Sequence, residues 1–305
     1  MWRIKVPSYF RGLSWYLTVF AAFTTVFFSI SSSSILILLS GASSVSCAFW
    51  RVFISSTILW LIILLKGEIG HIFANRRTLL LSTISGCALG VHFLLWMESL
   101  FWVPVSVSTS VVVTYPLFAL IADRFLLKEK IRLLQVIGLI GGFIGVLLFT
   151  HPKVLGGYSV YGVLLSLGGA ITGAVYFTVG RIVRKNIGLL EYVVPTYTTA
   201  SLLLLAYSFL IGENVLQHSF NTYIYFILLA LIPMIGGHTV MNYLLKYLKT
   251  SIVTSVALGE PVGASILAYY ILGQEVDLLK ASAMALILFS LFLVITQGIK
   301  EKQCK

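Results

Sequence analysis

Ten times along its length the chain runs for about twenty apolar residues between short polar interruptions, at 15–39, 46–65, 78–99, 103–122, 132–150, 159–181, 190–212, 221–245, 251–272 and 279–298. A bilayer core about 30 Å thick takes about 20 apolar residues as a helix, so each run is long enough to cross one. Only 10% of the residues are charged and 59% are hydrophobic, with a mean hydropathy of +1.00. Soluble domains carry roughly 25% charged residues, and a water-exposed globule of this composition would lack the polar surface to cover itself. The reading excludes an ordinary soluble enzyme. It predicts an all-α integral membrane protein of ten transmembrane helices joined by short loops, with membrane lipid as its main surroundings.

The formal net charge of +11 could point to nucleic acid, so the placement of the basic residues decides its meaning. With the N-terminus inside, alternate segments hold Arg3, Lys5, Arg11; Lys66, Arg76, Arg77; Arg124, Lys128, Lys130, Arg132; Arg181, Arg184, Lys185; Lys246, Lys249; and Lys300, Lys302, Lys305. Eighteen basic residues thus share one side, the other side holds Lys153 and Lys280, and Arg51 falls inside the second span. Lys and Arg collect in cytoplasmic loops, so the charge reads as a topological label that places both termini in the cytoplasm, with no nucleic-acid partner. The first run is expected to stay as a helix rather than to be cleaved as a signal peptide. Cys47, Cys87 and Cys304 give neither a disulfide framework nor zinc spacing, and no cofactor is expected.

The two halves resemble each other. The fourth run holds Ser106-Val107-Ser108-Thr109-Ser110 and then Tyr115-Pro116, with Glu129 thirteen residues after the proline. The ninth holds Ser251-Ile252-Val253-Thr254-Ser255 and then Glu260-Pro261, with Glu275 fourteen residues after it. Five spans is an odd number, so the second copy enters the membrane from the other side. This predicts two inverted five-helix repeats, over 15–150 and 158–298, an arrangement that places a substrate site near the midplane at the repeat interface.

The small Ser/Thr-rich stretch, the mid-helix proline, the later glutamate and the small-residue closing helix resemble the drug/metabolite transporter superfamily, in particular its members with two EamA-type repeats. The second copy, Leu258-Gly259-Glu260-Pro261 with Leu272-Gly273-Gln274-Glu275, carries the likeness most specifically, and Phe49-Trp50-Arg51 resembles the arginine of the first repeat. The resemblance implies a ten-helix secondary carrier with both termini cytoplasmic, often an exporter of amino acids or other small metabolites. It does not imply which metabolite. Tyr115 stands where Glu260 stands in the second copy, so any role of that acid is not duplicated.

Several intramembrane polar residues are candidates to bind a small-molecule substrate. Glu260 lies mid-span, where a charge costs about 2.5–3.5 kcal/mol on insertion scales, and Pro261 frees a backbone carbonyl beside it. It serves either as structural support or as a proton carrier or counter-charge. His92 and His238 stand 24 and 23 residues before Pro116 and Pro261, at nearly equivalent depths. His92 shares a helix face with Trp96 and Ser99, and His238 with Asn242. With Tyr115 and Tyr176 these residues could line a mostly apolar pocket, or the histidines could be satisfied interhelical donors. Arg51 is read as snorkelling from the outer end of the second span, with an inward role toward an anion or Glu98 as the alternative. Glu129 and Glu275 are read as stabilised by the dipole of the following helix.

Gly138, Gly142, Gly141, Gly145, Gly169, Gly173, Ala281 and Ala285 form small-residue faces that serve either within the bundle or between two copies in a homodimer. Trp2, Trp15 and Tyr16 are read as interfacial anchors. No G-x-x-x-x-G-K-[ST] loop occurs, so nucleotide-driven transport is not expected. The alternatives to a carrier working by alternating access are an intramembrane enzyme, for which H-E-x-x-H, paired aspartates at depth and G-x-S-x-G are missing, and a channel, for which no acidic ring appears. Gly157-Tyr158-Ser159 lies in a short turn and makes a poor nucleophile site.

Overall fold

The computed structural model describes residues 8–150, 159–272 and 278–303. Of the residues singled out above, Trp2, Arg3, Lys5, Lys153, Gly157, Tyr158, Gly273, Gln274, Glu275, Cys304 and Lys305 lie outside the described residues.

The first apolar run is two helices, α1 (Ser8–Ser31) and α2 (Ser33–Ser40), and the next two runs are α3 (Ser44–Leu65) and, after the short α4 (Ile69–Phe73), α5 (Arg76–Ser99). The fourth run is α6 (Val105–Val112), α7 (Tyr115–Ile121) and a π-helical turn, Ala122–Leu126. Then come α8 (Leu133–Thr150), α9 (Val160–Arg184) and α10 (Leu189–Leu210). The eighth run is α11 (Phe220–Leu229), a π-helical stretch Ala230–Thr239 and α12 (Val240–Leu244), and the ninth is α13 (Thr250–Thr254), a 3-10 stretch Ser255–Gly259 and α14 (Glu260–Leu272). The last is α15 (Leu278–Gln303). Side chains of Ser43, Asn75, Ser159 and Ser219 accept from backbone N–H groups and cap α3, α5, α9 and α11, which is why those helices begin there.

The protein is an all-α, multi-pass membrane bundle. Among the described residues nine helical runs are long and apolar enough to cross a membrane, and the apolar stretch of the fifth expected span, Leu133–Phe149, is shorter. The two mid-helix prolines do more than kink their helices. A proline disfavours the helical conformation in the residue before it but suits a first helical turn, and α7 and α14 each open on the residue preceding proline, Tyr115 and Glu260. In the eighth run Pro233 lies inside the π-helical stretch, where its missing N–H breaks the regular ladder.

The small-residue faces are used within the chain. A Cβ on Gly145 would stand 2.7 Å from Ile287 and one on Gly138 2.7 Å from Val294, so α8 and α15 pack nearly backbone to backbone. Gly169 and Gly173 face Trp96 and His92 of α5 in the same way. Ala281 and Ala285 instead lie on the exposed side of α15. Trp15 is half-buried, edge-on to Tyr247 at 5.0 Å.

At the basic end, polar contacts join the two halves of the chain. Glu129 pairs with Arg181 at 3.1 Å and Lys185 at 2.8 Å, and Arg181 also donates to the Leu245 carbonyl at 2.6 Å. Ion pairs with α9, and not the dipole of α8, therefore hold Glu129. Buried Asp123 accepts from Thr250 N at 3.2 Å, Ser251 N at 2.8 Å and Ser251 Oγ at 2.6 Å. Gln135 Nε2 donates to the same Ser251 oxygen at 2.7 Å.

Glu129 lies between spans. Burial alone would push its carboxyl up, but Arg181 and Lys185 outweigh burial and hold it below the usual carboxylate range. Its stabilising contribution is complete above the unfolded-state pKa of ~4.3 and is lost as pH falls through the lower folded value. Glu129→Gln is expected to melt a few degrees below the wild type at neutral pH, with the gap closing below about pH 4. A gap that stays constant across an acid titration of both proteins would contradict this account.

Candidate functional site

The breaks in the helices bring polar side chains from both halves around one interior cavity. Its lining includes Ser33 of α2, Arg51 of α3, His92 and Trp96 of α5, Tyr115 at the start of α7, His238 of the π-helical stretch and Glu260 at the start of α14, closed by Ile30 and Val112. The free space is about 30 Å³, room for a water or two and too little for a metabolite. Five of the seven sequence-predicted residues, His92, Trp96, Tyr115, His238 and Glu260, thus meet at one place.

The two imidazoles approach to 6.2 Å between ring centroids, as their matched distances from the prolines suggest. His92 Nδ1 lies 2.7 Å from the Gly169 carbonyl, so that nitrogen carries a proton and donates across to α9. His238 stacks on Phe177 at 5.6 Å and meets Phe93 edge-on at 5.0 Å, and its Nδ1 is buried without a partner. The interhelical-donor reading therefore describes His92 and not His238.

Tyr176 and Asn242 sit one layer behind. Asn242 Nδ2 donates to Tyr176 Oη at 2.5 Å and to the His238 carbonyl at 2.8 Å. Neither residue lines the cavity. They buttress the backbone that carries His238.

Arg51 corrects the snorkelling expectation. It is only 1% exposed, its Nη1 donates to Ser33 Oγ at 2.9 Å, and its guanidinium lies 4.2 Å from the centroid of the Phe93 ring, a cation–π contact. It does not pair with Glu98, which accepts instead from Ser44 Oγ at 2.5 Å and Trp102 Nε1 at 2.9 Å. The signal was present in the sequence, since Arg51 lies well inside an expected span whereas Arg132, Arg181 and Lys280 stand at span edges, and intramembrane charge by default marks a functional site.

Four polar atoms on cavity-lining side chains are buried without hydrogen-bond partners: Arg51 Nε, Trp96 Nε1, His238 Nδ1 and Glu260 Oε1. Buried polar groups are nearly always satisfied, so a cluster of exceptions calls for an explanation. Among the described residues no group of three or more His, Cys, Asp or Glu side chains is placed to hold a metal ion.

The sequence profile of the EamA-like transporter family matches the chain twice, over residues 13–151 and 160–296. The chain belongs to the EamA-like transporter family. Similar curated proteins are the uncharacterized inner membrane transporter YedA of Escherichia coli K12, 27% identical over 193 residues, and the uncharacterized transporter YdfC of Bacillus subtilis 168, 24% identical over 178 residues. The matches cover 63% and 58% of this chain, and they span about three fifths of the relatives' own length, 62% of YedA and 58% of YdfC. An uncharacterized transporter of Archaeoglobus fulgidus is 24% identical over 194 residues, covering 62% of this chain and 67% of that protein. A solved crystal structure superposes with a TM-score of 0.76 at 17% identity, covering 93% of this chain and 99% of that one. The two chains therefore share one fold over nearly their whole length. Fold alone does not assign a substrate.

Proposed function

We propose that this EamA-like protein is a secondary transporter that exports a small metabolite, an amino acid or a related compound, by alternating access. In this reading ten helices form two inverted five-helix repeats over 15–150 and 158–298, with both termini cytoplasmic as the eighteen-to-two division of basic residues favours. The substrate contacts His92, Trp96, Tyr115, His238 and Glu260, with Tyr176 and Asn242 supporting from behind.

The carrying observation is the cavity with unpartnered polar atoms from both halves, placed where α7 and α14 begin. Broken helices that bound a midplane site are a recurrent transporter arrangement. In this reading the cavity, with about 30 Å³ of free space, is closed, and rocking of one half against the other would open it.

The test is flux of a labelled panel of amino acids, sugars, nucleotides and polyamines in proteoliposomes. Saturable flux of at least one compound is expected, reduced on the order of tenfold or more in Glu260→Gln. Ohmic single-channel current, or chemical conversion of a panel compound, would replace the carrier reading with a channel or an enzyme. Flux that persists after collapse of the proton gradient removes proton coupling and leaves exchange or facilitation.

A further inference from the structure

Arg51 and Glu260 line the same cavity from opposite halves of the chain, yet they form no ion pair among the described residues. Both are deeply buried, at 1% and 6% exposure. Burying opposite charges is costly unless they are paired and hydrogen-bonded, and a direct contact would be the simplest way to satisfy both. Other contacts keep Arg51 in place: Ser33 takes its Nη1, and the face of Phe93 lies beneath its guanidinium. Its Nε stays open, as does the indole nitrogen of Trp96, and on the other side Glu260 Oε1 stays open. The cavity thus offers two unused donors, one of them cationic, one unused carboxyl oxygen and the open Nδ1 of His238.

We propose that Arg51 and Glu260 are the two separated halves of a charge pair that the substrate completes, so that the substrate is a small dipolar compound carrying one anionic and one cationic group. The anionic group takes Arg51 Nε and Trp96 Nε1, and the cationic group takes Glu260. A purely anionic ligand would leave Glu260 unpaired beside added negative charge, and a purely cationic one would leave Arg51 in the mirror-image position. Either mismatch is penalised more heavily in a dry site than in water. A dipolar ligand satisfies both ends and leaves the net charge of the site unchanged. This assignment rests on the transporter reading of the cavity, and it makes Arg51 a specificity-determining residue.

The experiment uses the purified full chain and measures thermal stabilisation by free α-amino acids, ω-amino acids and amino sulfonates. For each stabilising amino acid, the methyl ester (no anion) and the N-acetyl derivative (no cation) are compared. Each derivative is expected to bind on the order of tenfold or more weakly than the parent, because a site built for polar groups rejects analogues that lack them. Arg51→Gln is expected to weaken the parent and erase discrimination against the ester. Glu260→Gln is expected to erase discrimination against the N-acetyl derivative.

Should Arg51→Gln fail to give monodisperse protein, Arg51→Lys keeps the buried charge and removes Nε, so wild-type affinity in Arg51→Lys would overturn the proposal. So would a singly charged or uncharged compound that stabilises the wild type as well as any dipolar one. Flux of labelled amino acids, sugars, nucleotides and polyamines in proteoliposomes separates the two readings. Saturable flux confined to sugars or polyamines overturns the divided charge pair and leaves the transporter intact, whereas no flux of any compound overturns both.

Discussion

Asp123→Ala is expected to lower the melting temperature of the detergent-solubilised protein by about 4–10 °C, among the larger effects of any single substitution in this chain. Asp123 is fully buried, and its carboxyl group accepts two backbone N–H groups and one hydroxyl at the first turn of α13. Removing it strands Thr250 N, Ser251 N and Ser251 Oγ without that acceptor. Each stranded buried donor costs on the order of 1–3 kcal/mol, and relaxation within a membrane bundle brings the sum to about 2–4 kcal/mol. Asp123→Asn keeps one acceptor oxygen and is expected to lose about half as much. Because α13 packs on α7, the contact also joins the basic ends of the two broken helices. In a flux assay Asp123→Ala is expected to slow transport even below its melting temperature. Thermal melts of the two variants that coincide with the wild type would show that the contact contributes nothing.

Gly173→Val is expected to reduce flux on the order of tenfold while the protein remains folded. A Cβ at position 173 would stand 2.8 Å from His92 Nδ1, the atom that donates to the Gly169 carbonyl. The ring must then give up that bond and turn toward the cavity of about 30 Å³ that it lines. The steric origin makes a sharper demand: once His92→Ala has removed the ring, adding Gly173→Val should cost little further flux, so the two losses do not add. Coupling of this kind is what a double-mutant cycle detects. Losses that add in the double variant would mean that the glycine matters for some other reason.

The membrane class was legible because twenty-residue apolar runs leave a chain few alternatives, and the prolines marked where the fourth and ninth runs would be irregular. The break between α1 and α2 was not legible. No proline or glycine lies near Ser32, whose hydroxyl donates to the Ser29 carbonyl, and such local bonding competes with the helix ladder without a distinctive spacing. The pairing of His92 with His238 could be read from equal distances to the two prolines, since like positions in like halves reach like depths. Spacing could not tell a lining residue from its buttress. Asn242 shares a helix face with His238 but is held against Tyr176, and only the packing of α12 against α9 reveals that. Arg51 was misread because snorkelling is judged by distance from a helix end, whereas Ser33 and Phe93, which hold it inward, belong to other segments.

α7 and α14 begin alike, each on the residue before a proline, but one opens with a phenol and the other with an acid. Identical openings would present the same group to the cavity from both halves. The unlike first residues make the two sides of the cavity chemically different, as do Arg51 and Trp96, which come from the first half alone. In the proposed carrier a bound molecule would therefore take one orientation, whichever face of the membrane it came from.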